Sequence, residues 1–368
     1  MGKIKILLMS DLHLGIEREN SLISGEERLS TFMNIISLAR KHDILLIAGD
    51  LINSENIDPS YYEIIRKEFS SLLEEGKEIF YTPGAGELTD LGKLNPEIKE
   101  IITTFTFSDS SDSYVYKSSL GDIFVYGLQN MSVNNTWSIE RKVPEGFHIG
   151  LFYTDFSPQI TGVSDTGCIK KDDMKKMNLD FFALGKSHNF KMFRSSNKIL
   201  GACSGSAEPC SMDEYGERYA VSMDLDGNNL PGIKRIAVNK VKILNEDVDC
   251  RQFEGQTELI EKIKLSWPGS SLININFSGE RDFLIEKSFI TKLTDYFRNL
   301  KIHDKSIPTL KVIIEENINS DSLKGLFYRN LRDAISEAGN KMDNRLLADI
   351  ILQRNGNNKT GEGVLCDS

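Results

Sequence analysis

The chain has 368 residues, 44 Lys+Arg against 54 Asp+Glu and a formal net charge of −10. With 27% charged and 40% hydrophobic residues it has the composition of a globular protein, and no window approaches the roughly 18 consecutive apolar residues of a membrane-spanning helix. The acidic excess argues against a general nucleic-acid coat, which needs a basic surface, but leaves room for a local basic channel.

The first residues, 3–10, form an apolar run of strand length, too short for a signal peptide, so a cytoplasmic protein is expected. Leu29, Phe32, Met33, Ile36 and Leu38 predict a helix over 26–41. Residues 44–48 read as a second buried strand, 59–73 as a helix opened by Pro59, and 78–82 as a third strand. Strands alternating with helices predict an α/β fold around a central sheet. From about residue 110 onward the pattern is β-rich, with strands expected at 114–116, 123–126, 149–153, 181–184, 199–202, 219–223 and 233–238. Turn signals at Asp226-Gly227-Asn228-Asn229 and Pro231-Gly232 coincide with a charge shift. Residues 1–239 hold 25 basic and 34 acidic residues, whereas 240–368 hold 19 and 20, which places a domain boundary at 240–255.

Beyond that boundary, a helix at 258–265, a strand at 271–277, a long helix at 283–300 and a strand at 309–314 predict a small α+β module. Residues 320–338 carry Leu323, Phe327, Leu331 and Ile335 at four-residue spacing. Leu346, Leu347, Ile350 and Ile351 follow a Gly339-Asn340 break, and 354–368 reads as a disordered tail. Five cysteines (Cys168, Cys203, Cys210, Cys250, Cys366) show no zinc-ribbon spacing; the odd count argues against a disulfide framework, and they read as reduced thiols.

Three short motifs carry chemistry. Asp11-Leu12-His13 follows the first strand, Gly49-Asp50 the second, and Gly185-Lys186-Ser187-His188 the strand at 181–184. Each alone also reads as ordinary turn and capping residues. Together they place two carboxylates and two imidazoles at the C-terminal ends of strands, where ligands collect in α/β sheets, in a combination suited to a divalent metal.

The order of these motifs resembles the calcineurin-like metallophosphoesterases, and more narrowly their DNA-repair exonuclease branch, the nuclease subunit that works with an SMC-like coiled-coil ATPase (the SbcCD type). The family pattern runs Asp-x-His, Gly-Asp, Gly-Asn-His-Asp/Glu, a lone His, then Gly-His-x-His. The corresponding stretches here are Asp11-Leu12-His13, Gly49-Asp50, Gly84-Ala85-Gly86-Glu87, Tyr153 and Gly185-Lys186-Ser187-His188. Residues 204–218 also resemble the segment after the last motif in that branch. The resemblance covers 1–240 and implies a four-layer α/β/β/α sandwich there. It further suggests a smaller α+β capping domain at 250–318, and C-terminal helices at 319–353.

In the family, two ions share a bridging Asp. Carried over by position, Asp11, His13, Asp50 and His188 complete the first set. The second set keeps Asp50, but its other positions hold Ala85, Tyr153 and Lys186, and the general-acid position is Gly86. A methyl group cannot coordinate, a neutral phenol is a poor ligand, and a protonated lysine repels a cation. The resemblance with these departures implies one divalent ion, manganese first and iron or zinc as alternatives, with phosphodiester cleavage weak or lost. Lys186 is expected either to stand in for the second ion, pairing with Asp50 or Glu87, or to point to solvent. Lys191 and Arg194, with Lys186, Lys198, Phe190 and Phe193 around them, read either as a nucleic-acid contact or as a solvated edge whose Phe residues are core. The stripe of Leu323, Phe327, Leu331 and Ile335 reads either as core or as a face that docks on another helix; by the resemblance, residues 320–351 bind the ATPase and the protein is a homodimer. The lack of a long apolar run implies no membrane association. Three readings stand: a one-metal phosphoesterase or nuclease, a non-catalytic scaffold for DNA or the ATPase, and a small-molecule phosphoesterase.

Overall fold

The strands begin where the sequence is apolar without interruption. β1 (Ile4–Met9), β2 (Ile44–Ala48) and β3 (Glu78–Thr82) are buried at nearly every position, as parallel strands covered on both faces must be. The computed structural model describes residues 3–15, 21–53, 57–84, 87, 101–105, 113–128, 139–157, 168–195, 198–226 and 231–338. Ala85, Gly86, the apolar residues at 346–351 and the tail at 354–368 lie outside the described residues. The chain divides into two compact units, Met1–Ile243 and Leu244–Ser368.

In the first unit, α1 (Gly25–Ala39) starts at a capping box: Glu27 N–H donates to Ser24 Oγ at 3.2 Å and Ser24 N–H to Glu27 Oε2 at 2.8 Å. α2 (Pro59–Glu74) has Asp58 as its N-cap, accepting from Ser60 N–H at 2.8 Å, and Pro59 in its first turn, where the missing N–H costs nothing. Tyr61, Ile65, Phe69 and Leu72 then line one buried face. The remaining elements are β4 (Thr103–Thr104), β5 (Ser113–Tyr116), β6 (Ile123–Leu128), β7 (Phe147–Tyr153), β8 (Asp155–Ser157), β9 (Cys168–Lys170), α3 (Lys171–Met177), β10 (Phe181–Gly185), β11 (Lys191–Ser195), β12 (Lys198–Cys203), β13 (Tyr219–Leu225) and β14 (Pro231–Ala237).

Two six-stranded sheets result, in the orders β14-β13-β1-β2-β3-β4 and β11-β12-β10-β7-β6-β5. β1 through β4 run parallel, as do β12, β10, β7 and β6; the other pairings are antiparallel. Ile6, Leu8, Leu46 and Phe80 of the first sheet pack on Val125, Ile149, Leu151 and Ala183 of the second. The outer face of the first sheet (Leu7, Met9, Leu45, Ile47) is covered by Phe32, Ile36, Phe69 and Leu72 of α1 and α2. On the outer face of the second, Phe152, Phe182 and Leu184 meet Met174 and Met177 of α3. This is the expected α/β/β/α sandwich, and each fully buried Phe or Leu contributes about 1.5–3 kcal/mol to it.

The second unit holds β15 (Ile243–Asp249), α4 (Gln256–Ser266), β16 (Leu272–Ser278), β17 (Glu280–Arg281), α5 (Lys287–Thr294), β18 (Asn299–Asp304), β19 (Ile307–Pro308), α6 (Leu310–Asn317) and α7 (Leu323–Ala338). β15-β16-β18 form its sheet, packed on Leu259, Ile263, Phe289 and Leu293 of α4 and α5. Two local expectations fail here. The run at 283–300 is a short helix followed by β18, because residues 299–304 pair in parallel with β16. The run at 309–314 is helical despite its β-branched residues: Leu310, Ile313 and Ile314 fall on one helical face and pack against Tyr328 of α7. Among the described residues, no helix is long and apolar enough to cross a membrane.

Candidate metal centre

The C-terminal ends of parallel strands from both sheets converge on one edge. Asp11 and His13 follow β1, Asp50 follows β2, Tyr153 closes β7, and Lys186 and His188 follow β10. The sheets meet closely there. Thr82 Oγ1 donates to the Leu151 carbonyl at 2.8 Å, and a Cβ on Gly185 would run into the Ala48 carbonyl.

The loops are held in unusual backbone conformations. Asp11, His13, Asp50 and Lys186 have φ of +50°, +51°, +46° and +81°; among the described residues the only other such non-glycine is Asn178, the left-handed cap of α3. Such positions cost on the order of 1–3 kcal/mol each and persist only where the surroundings enforce them. Here the enforcement is a backbone ladder between the two loops: Asp11 N–H donates to Gly49 O at 3.0 Å, His13 N–H to Asp50 O at 2.9 Å and Leu14 N–H to Leu51 O at 3.0 Å.

The side chains so placed are short of partners. Asp11 is fully buried; its Oδ2 accepts from Lys186 N–H at 3.1 Å, and its Oδ1 has no hydrogen-bond partner. Burial pushes its carboxyl up to about 7. His13 Nε2 is also without a hydrogen-bond partner and lies 4.0 Å from Asp50 Oδ2. Burial brings this imidazole down to about 4, leaving it neutral with a lone pair to offer. One ligand atom from each of Asp11, His13 and Asp50 lies within 4.8 Å of the others. Orphaned buried acceptors normally cost about 1–3 kcal/mol apiece, and two of them facing a second carboxylate fit a divalent cation, which would satisfy all three groups.

His188 stands beside this group, its ring centroid 5.4 Å from that of His13. Its Nδ1 bonds Glu214 Oε1 at 2.9 Å, which leaves Nε2 as the nitrogen that could hold an ion. The Cys210 thiol and the Glu214 carboxylate together hold the imidazole up at about 10. Burial alone would raise Glu214, but hydrogen bonds from His188, Ser206 Oγ (2.7 Å) and Cys210 N–H (3.1 Å) outweigh it and hold the carboxyl down at about 2. A carboxylate orienting a histidine in this way is the usual outer partner of a metal-ligating imidazole. Motif spacing does not reveal Glu214 or Cys210; their one sequence signal is that 204–218 resembles the family segment.

The same Asp50 Oδ2 that lies 4.0 Å from His13 Nε2 accepts the Tyr153 hydroxyl at 2.6 Å. The Tyr153 ring lies on Gly49, where a Cβ would collide with it. The Lys186 side chain is exposed and makes no ion pair with Asp50 or Glu87. This differs from the stand-in expectation for a local reason: the left-handed backbone at Lys186 sends its N–H, not its ammonium, to Asp11. Glu87 is buried and accepts from Ile52 N–H at 2.8 Å and Gly84 N–H at 2.6 Å, clamping the loop after β3, and burial pushes it up to about 7.

Lys191, Arg194 and Lys198 are exposed on the β11–β12 hairpin. Phe193 between them is core, and Phe190 packs edge-on to Tyr219 at 5.7 Å with the Arg235 guanidinium 4.7 Å above the Tyr219 ring. Phe193 is therefore not available for stacking on a base.

A four-layer α/β sandwich with a carboxylate–imidazole cluster at its strand ends defines the class of protein: an α/β sandwich carrying a candidate divalent-metal site. The model of the calcineurin-like phosphoesterase family matches residues 4–183, and the first unit belongs to that metallophosphoesterase superfamily, whose members use divalent metal ions. The chain is 26% identical over 211 residues to an uncharacterized metallophosphoesterase, YhaO, of Bacillus subtilis, covering 52% of this chain and 50% of the relative. It is 26% identical over 256 residues to the DNA double-strand break repair protein Mre11 of Sulfurisphaera tokodaii, covering 65% of this chain and 64% of that one. The chain thus spans about half to two thirds of the length of these relatives. A crystal structure of a novel phosphatase from Mycoplasma pneumoniae superposes with a TM-score of 0.36 at 12% identity, covering 65% of this chain and 95% of that one.

Proposed function

We propose that the first unit binds one divalent ion through Asp11, His13, Asp50 and His188, and that the protein is a relative of the DNA-repair exonucleases in which phosphodiester hydrolysis is weak or lost. The observation that carries this reading is the pair of orphaned acceptors beside Asp50. Asp11 Oδ1 and His13 Nε2 are buried without hydrogen-bond partners, while Asp50 Oδ2, 4.0 Å from His13 Nε2, also accepts the Tyr153 hydroxyl. A divalent ion held by these groups would supply positive charge to polarise a phosphoryl oxygen. Asp11 and Asp50 provide its counter-charge, neutral His13 a lone pair, and Glu214 fixes the orientation of His188.

Two parts of an efficient two-metal hydrolase are missing by this reading. Tyr153, Ala85 and Lys186 leave Asp50 as the single ligand of a second set. Gly86 has no side chain to protonate a leaving oxygen, a role that alone contributes about 10²–10⁴-fold. Similarity to a DNA double-strand break repair protein and the 204–218 segment support DNA as the partner class. The exposed Leu323, Leu326 and Phe327 on α7 support docking of an SMC-like ATPase at 320–351. Of the expected stripe, Leu331 and Ile335 instead pack against α6.

Elemental analysis of the full chain reconstituted with manganese tests the reading: one ion per chain is expected, and two would overturn it. Turnover of bis(p-nitrophenyl) phosphate should be slow or absent and fall to background in His188→Ala. A rate unchanged by that substitution excludes this site as its source. Hydrolysis of nucleotides with none of DNA ends would favour the small-molecule phosphoesterase.

A further inference from the structure

Three observations away from the Asp11–Asp50 pair meet at Cys210. First, His13, His188 and Cys210 each offer one ligand atom, all within 4.8 Å of one another. Second, Arg28 on α1 is buried at 2% exposure and among the described residues makes no direct ion pair, the buried Glu208 carboxylate acting on it only through space. Its Nη1 donates to Leu12 O at 3.1 Å and its Nη2 to Pro209 O at 3.2 Å. The same Nη2 lies 3.8 Å from Cys210 Sγ, and Nε has no partner. A buried guanidinium gains from further negative charge brought into contact with it. Third, Glu214 holds both candidate ligands at once, His188 through Oε1 at 2.9 Å and the Cys210 backbone N–H through Oε2 at 3.1 Å.

We propose that Cys210 is a thiolate ligand of the ion held by His13 and His188, with Arg28 as the counter-charge of its sulfur, and that the site therefore favours zinc, iron(II) or cobalt(II) over manganese. The proposal rests on the metal-site reading above and adds a soft donor to it. Binding forms one sulfur–metal bond and releases the thiol proton to solvent, since a coordinating thiol is deprotonated outright. Thiolate and imidazole donors select the softer divalent metals, whereas manganese prefers oxygen. Arg28 then has a charged acceptor in place of a neutral thiol, so metal and guanidinium neutralise the sulfur from two sides. A leucine or serine at 210 would fill the space but supply no charge to either.

Cobalt(II) titration of the full chain reads the ligand directly. Wild type should show visible d–d absorption together with near-ultraviolet sulfur-to-cobalt charge transfer. Cys210→Ser should lose the charge-transfer band and keep the d–d absorption, and Cys168→Ser should keep both. In competition titrations Cys210→Ser should lose about tenfold or more in zinc affinity and less than about threefold in manganese affinity. Should Cys210→Ser fail to fold, X-ray absorption on zinc-loaded wild type decides: a sulfur scatterer at about 2.3 Å supports the thiolate, and nitrogen and oxygen alone overturn it. A d–d spectrum without charge transfer in wild type, or charge transfer that survives Cys210→Ser, also overturns it and leaves the ion site standing. Failure of wild type to bind cobalt at all overturns both readings.

Discussion

Tyr153→Phe isolates one hydroxyl. The ring, which rests on Gly49, is retained, so the change removes only the 2.6 Å hydrogen bond to Asp50 Oδ2. Hydrogen bonds to a charged group contribute about 1.5–3 kcal/mol. The Asp50 side chain is 17% exposed, so water can reach it and recover part of the loss; the lower end, about 1.5 kcal/mol, applies. For a unit of 243 residues, each kcal/mol shifts the melting temperature by about 2–4 °C, giving an expected drop of about 3–6 °C in metal-free protein. Burial and the neighbouring Asp50 carboxylate hold the phenol well above its usual range, so it remains a donor and the difference should persist from about pH 6 to 9. Differential scanning calorimetry of both proteins in chelator reads this. A melting temperature within about 1 °C of wild type would refute the view that Tyr153 holds Oδ2 of Asp50.

Two further outcomes follow from buried charge. Asp11→Asn should leave the metal-free protein at least as stable as wild type, because it removes a desolvated carboxylate, while manganese affinity in calorimetric titration falls about tenfold or more; a loss of stability without loss of affinity would contradict the assignment. His148 is buried between the Tyr126 hydroxyl (2.9 Å at Nδ1) and the Glu145 carbonyl (2.8 Å at Nε2), an arrangement suited to the neutral ring, and burial lowers it from 6.5. Below about pH 6.5 the unfolded chain takes up a proton that the folded chain resists, so stability falls with pH. The melting-temperature gap between wild type and His148→Gln should narrow on going from about pH 7.5 to 5.5, and a constant gap would exclude the effect.

The layered architecture is legible in the sequence because it is written in local periodicity. Continuous apolar runs mark β1 to β3, and helical spacing with caps at Ser24 and Asp58 marks α1 and α2. Where propensity and packing disagree, the reading fails: the β-branched stretch Val312-Ile313-Ile314 resembles a strand until Tyr328 gives its helical face something to bury against. At the candidate site, Asp11, His13, Asp50 and His188 are legible because each motif follows a strand. Lys186 is not, because the sequence does not show that its backbone is left-handed and its ammonium turned to solvent.

The sequence alone determines which side chains with ligand chemistry stand at strand ends, and that the strands alternate with helices into an α/β sandwich. The tertiary structure alone decides what those side chains face. Tyr153 meets Asp50 across 103 positions and Cys210 meets Arg28 across 182, because the two sheets bring the ends of distant strands to one edge. Ligand chemistry belongs to a single residue and can be read from its letter. Partnership depends on long-range register and packing, so the neutral phenol on one side of Asp50 and the thiol beside His188 become visible only in the folded chain.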